Sequence, residues 1–352
     1  MRLRTQVKPR ALLLLLTLAG VLLPLSAMAA SCKTQSTMSA AERDALSSAA
    51  RTMVSEVQSG DVQAIRTNTI PAVTADFGGI ADSIGRLKPL VLGAAITVDS
   101  LYLLDASAET MGAPRTDFYC GIPLVVLDFT DLPPGMYAMV ILHATGVSNP
   151  QQISFILLET VEHHWMLAGL FSKPLIEAGH EGLWYWVSAR KYSERKMNWN
   201  AWFYYRIAAY LLDPVEFLSS PNIEKLQHEE DRIRPETLPG TKPMMLDAHG
   251  TAFQVTAMDT TTAFGALDLE VQYVPDSIQA AQLHDPPTAR KQVTELMKAL
   301  LELHPELQEG FHGIWVHTDE GSASAFSLEL PMDLIVAGIQ LPAGSPKSVS
   351  QQ

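Results

Sequence analysis

Histidines beside carboxylates are the first candidates for chemistry in this sequence, because imidazole binds zinc and transfers protons near neutral pH. Glu162, His163 and His164 form a short polar turn between two apolar segments. Neighbouring residues on an extended chain point to opposite sides, so the two imidazoles cannot easily share a metal ion. The pattern therefore predicts a solvated turn rather than a metal site or a proton shuttle.

Three further histidines lie late in the chain, at His304, His312 and His317. His312 and His317 are separated by an odd number of residues, and on a strand such a separation places two side chains on opposite faces of the sheet. A shared metal site is therefore not expected. The sequence predicts neither a metal nor an organic cofactor.

The motifs of the commoner enzyme classes are absent from the sequence. It contains no nucleophile elbow, phosphate-binding loop, metal-binding helix or dinucleotide fingerprint. These absences weigh against catalysis, although they do not identify a binding function by themselves.

The least ordinary feature is the aromatic segment 184–210, which contains four of the six tryptophans. Its candidate binding residues are Trp184, Trp186, Trp199, Trp202, Tyr205 and Arg190. Helical spacing spreads the rings over several faces, and two helices cannot bury all of them against each other. Open rings beside Arg190 would suit a protein, peptide or glycan partner. Packed rings would instead hold the flanking domains together, and this packing role is favoured.

Two cysteines, Cys32 and Cys120, bear on the compartment of the protein. In an oxidising exported compartment such a pair usually forms a disulfide, which would stabilise this fold by about 4 kcal/mol through the long loop that it closes. The alternative is a lipid on Cys32 after cleavage behind Ser31. That signal requires a large aliphatic residue where Ala29 stands, and it would leave Cys120 alone, so the disulfide is favoured.

Residues 1–29 have the pattern of a secretory signal peptide. Arg2 and Arg4 precede the apolar run 11–23, and Ala27 and Ala29 provide a small-x-small cleavage site. The run is too short to span a bilayer, and no later segment is long and apolar enough. The formal net charge of −13 disfavours nucleic acid as a partner. We therefore expect an exported protein, either periplasmic or secreted.

The elements that position these residues begin with an N-terminal domain at 36–174. Helices are predicted over 38–59, 62–67 and 73–87, the first capped by Ser39 with Glu42 and the third ended by Pro89. Strands are predicted over 95–106, 118–120, 124–129, 136–145, 153–159 and 165–171. Helices followed by antiparallel strands are typical of the α+β class.

The remainder is predicted to contain a helical hairpin at 175–231, a linker at 232–247, a small domain at 248–335 and a disordered tail at 336–352. The hairpin helices cover 179–197 and 199–212. The small domain is predicted to have strands over 251–259 and 266–274, a helix over 288–303, and strands over 311–318 and 324–330. That order is a ββαββ arrangement.

The last two predicted strands of the N-terminal domain, 153–159 and 165–171, resemble the end of a known fold. With 165–169 (WMLAG) as its last strand, the region 36–174 resembles the nuclear transport factor two and ketosteroid isomerase superfamily, whose fold is cystatin-like. The resemblance implies a curved sheet around a long N-terminal helix, with an enclosed pocket. An enzyme of this kind needs an acid or base inside, for which the candidates are Asp99, Asp128, Tyr137 and His143. The strands are strongly aliphatic, which indicates a filled or apolar interior.

The helical hairpin resembles one tetratricopeptide unit. The resemblance is carried by Trp184, Tyr185, Ala189, Tyr192, Ala201, Tyr205, Ala208 and the ending Asp213-Pro214. Such units normally stack in threes, and one copy is visible in this sequence. The resemblance implies two antiparallel helices joined by a short link.

These features predict a non-catalytic exported protein that binds a ligand or protein of the cell envelope through the aromatic hairpin and its junctions. The alternative is a small-molecule enzyme or carrier that uses a pocket of the N-terminal domain. The first requires an exposed apolar strip along Trp186, Trp199 or Trp202. The second requires an enclosed cavity with an inward carboxylate or histidine of shifted pKa. If neither feature is present, a structural role is the better interpretation.

Overall fold

The computed structural model describes residues 30–121, 124–160, 164–320 and 323–338. The predicted signal peptide, Glu162 and His163 of the predicted turn, and most of the predicted tail lie outside the described residues. Within these ranges the α+β class is confirmed, because helices pack on largely antiparallel sheets. None of the helices in the described ranges combines the length and apolar character that crossing a bilayer requires.

The N-terminal helices form one layer of the structure. The first elements are strand β1 (Ser31–Thr34) and helices α1 (Ala40–Ser59), α2 (Val62–Thr67), α3 (Pro71–Thr74) and α4 (Gly78–Val91). The predicted capping box is present: the Glu42 amide donates to Ser39 Oγ at 3.2 Å, and the Ser39 amide donates to Glu42 Oε2 at 2.7 Å. Gly60 ends α1 with a φ of 72°, a left-handed conformation that glycine adopts without strain.

Helix α4 differs from its prediction at both ends. The sequence predicts one helix over 73–87 that stops before Pro89, but α3 and α4 are separate and Pro89 lies inside α4. A proline removes one ladder hydrogen bond and crowds the carbonyl four residues earlier. Here that cost falls in the last turn, since Leu92 already caps the helix. The buried side chains of Leu87 and Val91 hold this turn in the core.

Six further strands complete the N-terminal domain: β2 (Ala95–Asp105), β3 (Thr116–Cys120), β4 (Val125–Phe129), β5 (Met136–Thr145), β6 (Gln151–Glu159) and β7 (Trp165–Pro174). Strands β1, β2, β5, β6 and β7 form an antiparallel sheet in the order β1-β2-β5-β6-β7. Side chains alternate across β5. Val140 and Leu142 pack with α1 and α4, whereas Met139 and Ile141 belong to a core on the opposite face.

The segment after β7 forms β8 (Ile176–Glu177), β9 (His180–Glu181), α5 (Gly182–Glu194), α6 (Asn198–Leu212), β10 (Leu218–Ser219) and α7 (Pro221–Asp231). Strand β10 pairs with β4, and β4 pairs with β3. These three short strands make a second antiparallel sheet, whose side chains share a core with the outer face of the first sheet. The helical hairpin α5–α6 is thereby tied back to the N-terminal domain through β10.

A disulfide between Cys32 and Cys120 joins the two sheets of the N-terminal domain. Cys32 lies on β1 and Cys120 on β3, with their Cα atoms 5.2 Å apart and a sequence separation of 88. The predicted bridge is therefore present. Because it uses the sulfur of Cys32, the alternative of a lipid on that atom does not fit this structure.

The C-terminal domain is built on a five-stranded sheet. Its elements are β11 (Met244–Ala248), β12 (Thr251–Thr261), β13 (Asp268–Val274), α8 (Ser277–Leu283), α9 (Pro286–Leu303), α10 (Leu307–Gly310), β14 (Gly313–Glu320), β15 (Ala323–Pro331) and α11 (Met332–Ala337). The strand order is β11-β12-β13-β14-β15, and only the β13–β14 pair is parallel. A parallel pair needs a crossover connection, which α8, α9 and α10 provide. The predicted ββαββ order is contained in this arrangement.

Strand β11 lies largely in the segment that the sequence predicts as a linker. Prolines are frequent before it, and prolines are typical of linkers rather than of strands. The last of them is Pro243, and burial then alternates strictly along the five residues of β11. That alternation is expected of an edge strand with one covered face.

The helical hairpin and the C-terminal domain share one hydrophobic core. Phe203 and Tyr204 of α6 pack edge-on to Phe311, with ring centroids 5.7 and 6.1 Å apart. The Tyr204 hydroxyl also donates to the Gly310 carbonyl at 2.7 Å. Most of the rings of the hairpin are thus buried in this shared core, whereas Trp184 and Tyr210 remain exposed.

Candidate ligand site between the helical hairpin and the C-terminal domain

Four of the six predicted binding residues are buried: Trp186, Trp199, Trp202 and Tyr205. Trp202 has 4% of its surface exposed, and its ring lies edge-on to Phe203 at 5.0 Å. Trp199 packs against His304 at 4.3 Å. The exposed apolar strip that a partner-binding role requires along these tryptophans is therefore not formed, because they belong to the core shared with the C-terminal domain.

Arg190 is engaged in an internal ion pair. Its guanidinium donates to both oxygens of Glu229 on α7, at 2.8 and 2.9 Å, and lies 4.4 Å from the centroid of the Trp186 ring. The Trp186 indole donates to the same carboxylate at 2.8 Å. Burial raises the pKa of Glu229, but the hydrogen bonds from Arg190 and Trp186 outweigh it and leave that pKa lowered. These two residues fasten α7 to α5.

Trp184 is the predicted binding ring that remains open, with 42% of its surface exposed. It stacks on His180 with ring centroids 3.6 Å apart. Leu183 and Val187 on the same helix are exposed as well. Of the six predicted residues, this tryptophan keeps the exposure that contact with a partner needs.

A cleft opens where α6 meets the turn between β12 and β13. Its volume is about 360 Å³, which is in the range of small-molecule sites. The residues that line it are Glu177, Arg206, Ile207, Tyr210, Asp259, Thr260, Thr261, Thr262 and Leu267. They come from three separate segments of the chain, and none of them belongs to the predicted binding set.

The turn between β8 and β9 places Glu177 at the cleft. Ala178 and Gly179 form this turn with φ values of 44° and 81°, and two consecutive positive values are what a type I′ turn needs. The Tyr185 hydroxyl donates to the Glu177 carbonyl at 2.8 Å. The Thr262 hydroxyl donates to Glu177 Oε2, also at 2.8 Å. The carboxylate is therefore fixed against the opposite wall of the cleft.

Arg206 is held between a ring and a carboxylate. Its guanidinium lies 4.9 Å from the centroid of Trp202, and its Nη2 lies 3.5 Å from Asp259 Oδ2. The Arg206–Asp259 pair is exposed, so it contributes little to stability and remains accessible to a ligand. Buried Trp202 thus supports a cleft residue instead of facing a ligand itself.

Tyr210 supplies the aromatic wall of the cleft. Its surface is 47% exposed, and Lys173 Nζ lies 5.5 Å from its ring centroid. Burial, and then the negative charge of Glu177, raise the pKa of the Tyr210 hydroxyl, so the phenol remains a neutral hydrogen-bond donor. The lining combines this ring with carboxylates, a guanidinium and threonine hydroxyls, which can bind a polar ligand from several directions. The lining residues include no histidine, cysteine or serine that could form a nucleophile–base pair.

The acid–base candidates of the N-terminal domain do not form one site. Tyr137 and His143 lie on the face of β5 away from α1, because the residues alternating with them face the helices. The Tyr137 hydroxyl donates to the Pro133 carbonyl at 2.9 Å. Asp128 of the small sheet is paired with Arg115, which immediately precedes β3. Asp99 is exposed, and its Oδ1 lies 3.9 Å from His143 Nδ1. The β5 side chains that face α1 are alanines and aliphatic residues, and Phe155 of β6 is buried with them in the same core.

The histidines of the predicted turn and of the end of α9 have structural surroundings. His164 is exposed, and its carbonyl accepts from the Thr160 amide at 2.9 Å. His304 packs on Trp199, and burial lowers the pKa of its imidazole. Neither lies in the cleft.

His312 and His317 pair with different carboxylates. Strand β14 begins one residue after His312, so the alternation assumed from the sequence does not reach that residue. His312 Nδ1 lies 2.9 Å from Asp268 Oδ1, and His317 Nε2 lies 2.8 Å from Glu270 Oε1. Among the described residues, one cluster has the geometry to hold a metal ion, formed by Asp268, His312 and Glu329.

The cleft could not be predicted from the sequence, because the residues that line it are far apart along the chain. One local signal was available: the polar run 259–262 (DTTT) stands at the end of a strand, where a hydrophobic pattern gives way to side chains that form hydrogen bonds. The positions of Glu177 and Arg206 in the sequence do not indicate that they lie near residues 259–262. Only the packing of α6 on the C-terminal sheet brings the three together.

No family model matches the chain, and no curated protein and no solved structure matches it either. The class of protein is therefore defined by its own fold and site. It is an α+β protein in which a helical hairpin joins a disulfide-bridged domain of two sheets to a five-stranded domain. A polar cleft lies at the second of these junctions.

Proposed function

We propose that this is an exported, non-catalytic binding protein of the cell envelope, periplasmic or secreted, whose cleft beside α6 binds a small polyhydroxylated ligand such as a sugar unit of a glycan. The lining of the cleft carries this proposal, because an exposed tyrosine ring stands beside fixed carboxylate, guanidinium and hydroxyl groups. Sugar hydroxyls both donate and accept hydrogen bonds. They match the acceptors of Glu177 and Asp259 and the donors of Arg206.

Preorganisation of the cleft supports a binding role. Glu177 is fixed by the Thr262 hydroxyl at 2.8 Å, and Arg206 rests on the buried ring of Trp202. Side chains that are already ordered lose little conformational entropy when a ligand binds. The Tyr210 ring adds an apolar surface for the CH groups of a sugar while its hydroxyl stays available as a donor.

Export is supported by the disulfide between Cys32 and Cys120, since such bonds persist in oxidising compartments. The apolar run 11–23 behind a basic start supports it as well. The resemblance of 36–174 to the nuclear transport factor two superfamily remains a proposal, supported by α1 lying against an antiparallel sheet. The tetratricopeptide resemblance of α5 and α6 also remains a proposal, supported by their close packing in one core.

The proposal is tested with the chain lacking residues 1–29, titrated calorimetrically with a panel of monosaccharides and disaccharides and with a mixture of short peptides. At least one sugar should bind, and Tyr210→Ala should weaken it about tenfold, the equivalent of 1.4 kcal/mol. Tyr119→Ala is the matched control, because Tyr119 is exposed on β3, outside the cleft. Binding of peptides alone, or an unchanged affinity in Tyr210→Ala, would show the proposal to be wrong.

A small-molecule carrier is the second candidate, favoured by a groove of about 490 Å³ between α4, β7 and the loop that follows α6. Phe171 and Phe217 give it an apolar wall, and its charged lining residues are two positive, Arg86 and Lys173, and one negative, Glu216. An amphipathic carboxylate matches that combination. Binding of a fluorescent fatty acid that Arg86→Ala weakens would support this function, and no binding would remove it.

A further inference from the structure

Three potential metal ligands meet at one end of the C-terminal sheet. Asp268 begins β13 and lies beside Gly313, which begins the parallel strand β14. Glu329 lies on β15, opposite Trp315 and two residues from the partner of Gly313. One ligand atom from each of Asp268, His312 and Glu329 lies within 4.8 Å of the others.

Gly313 makes room for this arrangement. A Cβ atom built on it would lie 2.7 Å from Glu329 Oε1 and 2.9 Å from Asp268 Oδ1, which is closer than real contacts allow. Both carboxylates therefore reach over the glycine from opposite neighbouring strands. Any larger residue at this position would push them apart.

Asp268 and Glu329 leave carboxylate oxygens without a donor. The Asp268 side chain has 0% of its surface exposed, and its Oδ2 finds no hydrogen-bond partner among the described residues. Glu329 Oε1 is likewise buried and without a partner in the described chain. A buried carboxylate oxygen without a donor is costly, and two carboxylates this close also repel each other. His312, at 2.9 Å from Asp268 Oδ1, can neutralise one negative charge at most.

We propose that Asp268, His312 and Glu329 bind a divalent transition-metal ion, with zinc as the best match. A divalent cation would satisfy the two buried oxygens and remove the repulsion between the carboxylates. An imidazole ligand favours zinc over magnesium or calcium, which prefer oxygen ligands alone. The His312 side chain is 52% exposed, so solvent reaches the cluster and can supply a fourth ligand.

The competing account has no metal. Burial raises the pKa of the carboxyl groups of Asp268 and Glu329, and a proton on Glu329 would also relieve the repulsion. The two accounts differ in what Glu329→Gln does. Glutamine keeps the shape and imitates the protonated acid, so it should leave the metal-free fold at least as stable while removing a metal ligand.

The test is calorimetric titration of zinc chloride into the chain lacking residues 1–29, with magnesium chloride as the comparison. One equivalent of zinc should bind, and Glu329→Gln and His312→Gln should each weaken it at least tenfold, as loss of a supporting group already does in metal sites. Glu270→Gln is the matched control, because Glu270 forms the other carboxylate–histidine pair of this sheet, with His317 at 2.8 Å. The zinc affinity of Glu270→Gln should stay within twofold of the zinc affinity of the unchanged protein.

Thermal unfolding separates loss of the site from loss of the fold. At one fixed zinc concentration, zinc should raise the melting temperature of the unchanged protein and of Glu270→Gln by similar amounts, and that of Glu329→Gln by clearly less. Without zinc, Glu329→Gln should melt no lower than the unchanged protein. Unchanged zinc binding in Glu329→Gln, equal weakening in Glu270→Gln, or no zinc binding at all would each overturn the proposal. Because the cleft lining does not include the three ligands, Glu329→Gln should leave any sugar binding unchanged, so failure of the zinc proposal can be distinguished from failure of the cleft proposal.

Discussion

Trp202 lies beneath two guanidinium groups, with Arg206 at 4.9 Å and Arg234 at 5.7 Å from its ring centroid. The ring is almost wholly buried, so it cannot shift without disturbing the core around it. Cation–π attraction between the ring and Arg206 therefore gives the cleft a rigid positive group. The buried Trp202 ring of the hairpin therefore contributes to the cleft by holding the Arg206 guanidinium in place.

Replacing Trp202 with alanine should lower the free energy of unfolding by about 3 to 5 kcal/mol, because removal of a buried aromatic ring leaves a large cavity. Trp184→Ala is the matched control, since that ring is 42% exposed and its loss should cost less than about 1 kcal/mol. Urea denaturation followed by far-ultraviolet circular dichroism measures both. Similar small losses in the two variants would contradict the burial of Trp202.

Elements that depend on nearby residues could be predicted from the sequence. Ser39 and Glu42 are close neighbours, so their capping box and the start of α1 could be predicted. Strand β5 begins and ends where the hydrophobic pattern places it. The predicted end of the helix before Pro89 was wrong, because packing of the last turn of α4 outweighs the hydrogen bond that the proline removes.

The sites could not be predicted in the same way. Glu177, Arg206 and Asp259 come from a turn, a helix and a strand, and no spacing rule relates them. Asp268 and Glu329 meet across β14, which pairs in parallel with β13 through a long crossover and antiparallel with β15. Burial of the tryptophans could not be predicted either. Helical spacing shows which face of a helix a residue lies on, but not which domain covers that face.

The end of helix α5 carries a local strain that the surrounding structure tolerates. Lys196 has a left-handed φ of 64°. The Met197 amide donates to the Tyr192 carbonyl at 3.0 Å, and the Lys196 amide donates to the Ser193 carbonyl at 3.0 Å. These two hydrogen bonds form a Schellman motif, in which this position is usually glycine.

Lys196→Gly should therefore raise the free energy of unfolding by about 1 kcal/mol, because relief of the left-handed conformation exceeds the added freedom of the unfolded chain. Lys191→Gly is the control with opposite sign. Lys191 lies inside α5, where glycine should cost about 1 kcal/mol, and both variants lose one positive charge near the helix end. Chemical denaturation gives the two differences. A loss of stability in Lys196→Gly would mean that the lysine side chain makes a stabilising contact.

The whole molecule is organised around separate cores. Helices α1 and α4 pack on one face of the first sheet, and the small sheet packs on the other face. The hairpin and the C-terminal domain form a third core, and the cleft lies at the surface beside it. The N-terminal domain is linked to it by the pairing of β10 with β4 and by Lys173, whose Nζ donates to the Asp213 carbonyl at 2.7 Å. Perturbation of one part should therefore spread weakly to the other.

Removal of the disulfide tests that organisation. The double variant Cys32→Ser and Cys120→Ser should lose about 4 kcal/mol of stability, because the bridge closes a loop with a sequence separation of 88. Hydrogen exchange should increase in β1, β2 and β3, while α6, α9 and β13 keep the exchange rates of the unchanged protein. A reducing agent should weaken the unchanged protein but leave the double variant as it is. Faster hydrogen exchange throughout the C-terminal domain would show that the cores unfold as one unit. A lipid detected on Cys32 by mass spectrometry would show that the disulfide does not form in the exported protein.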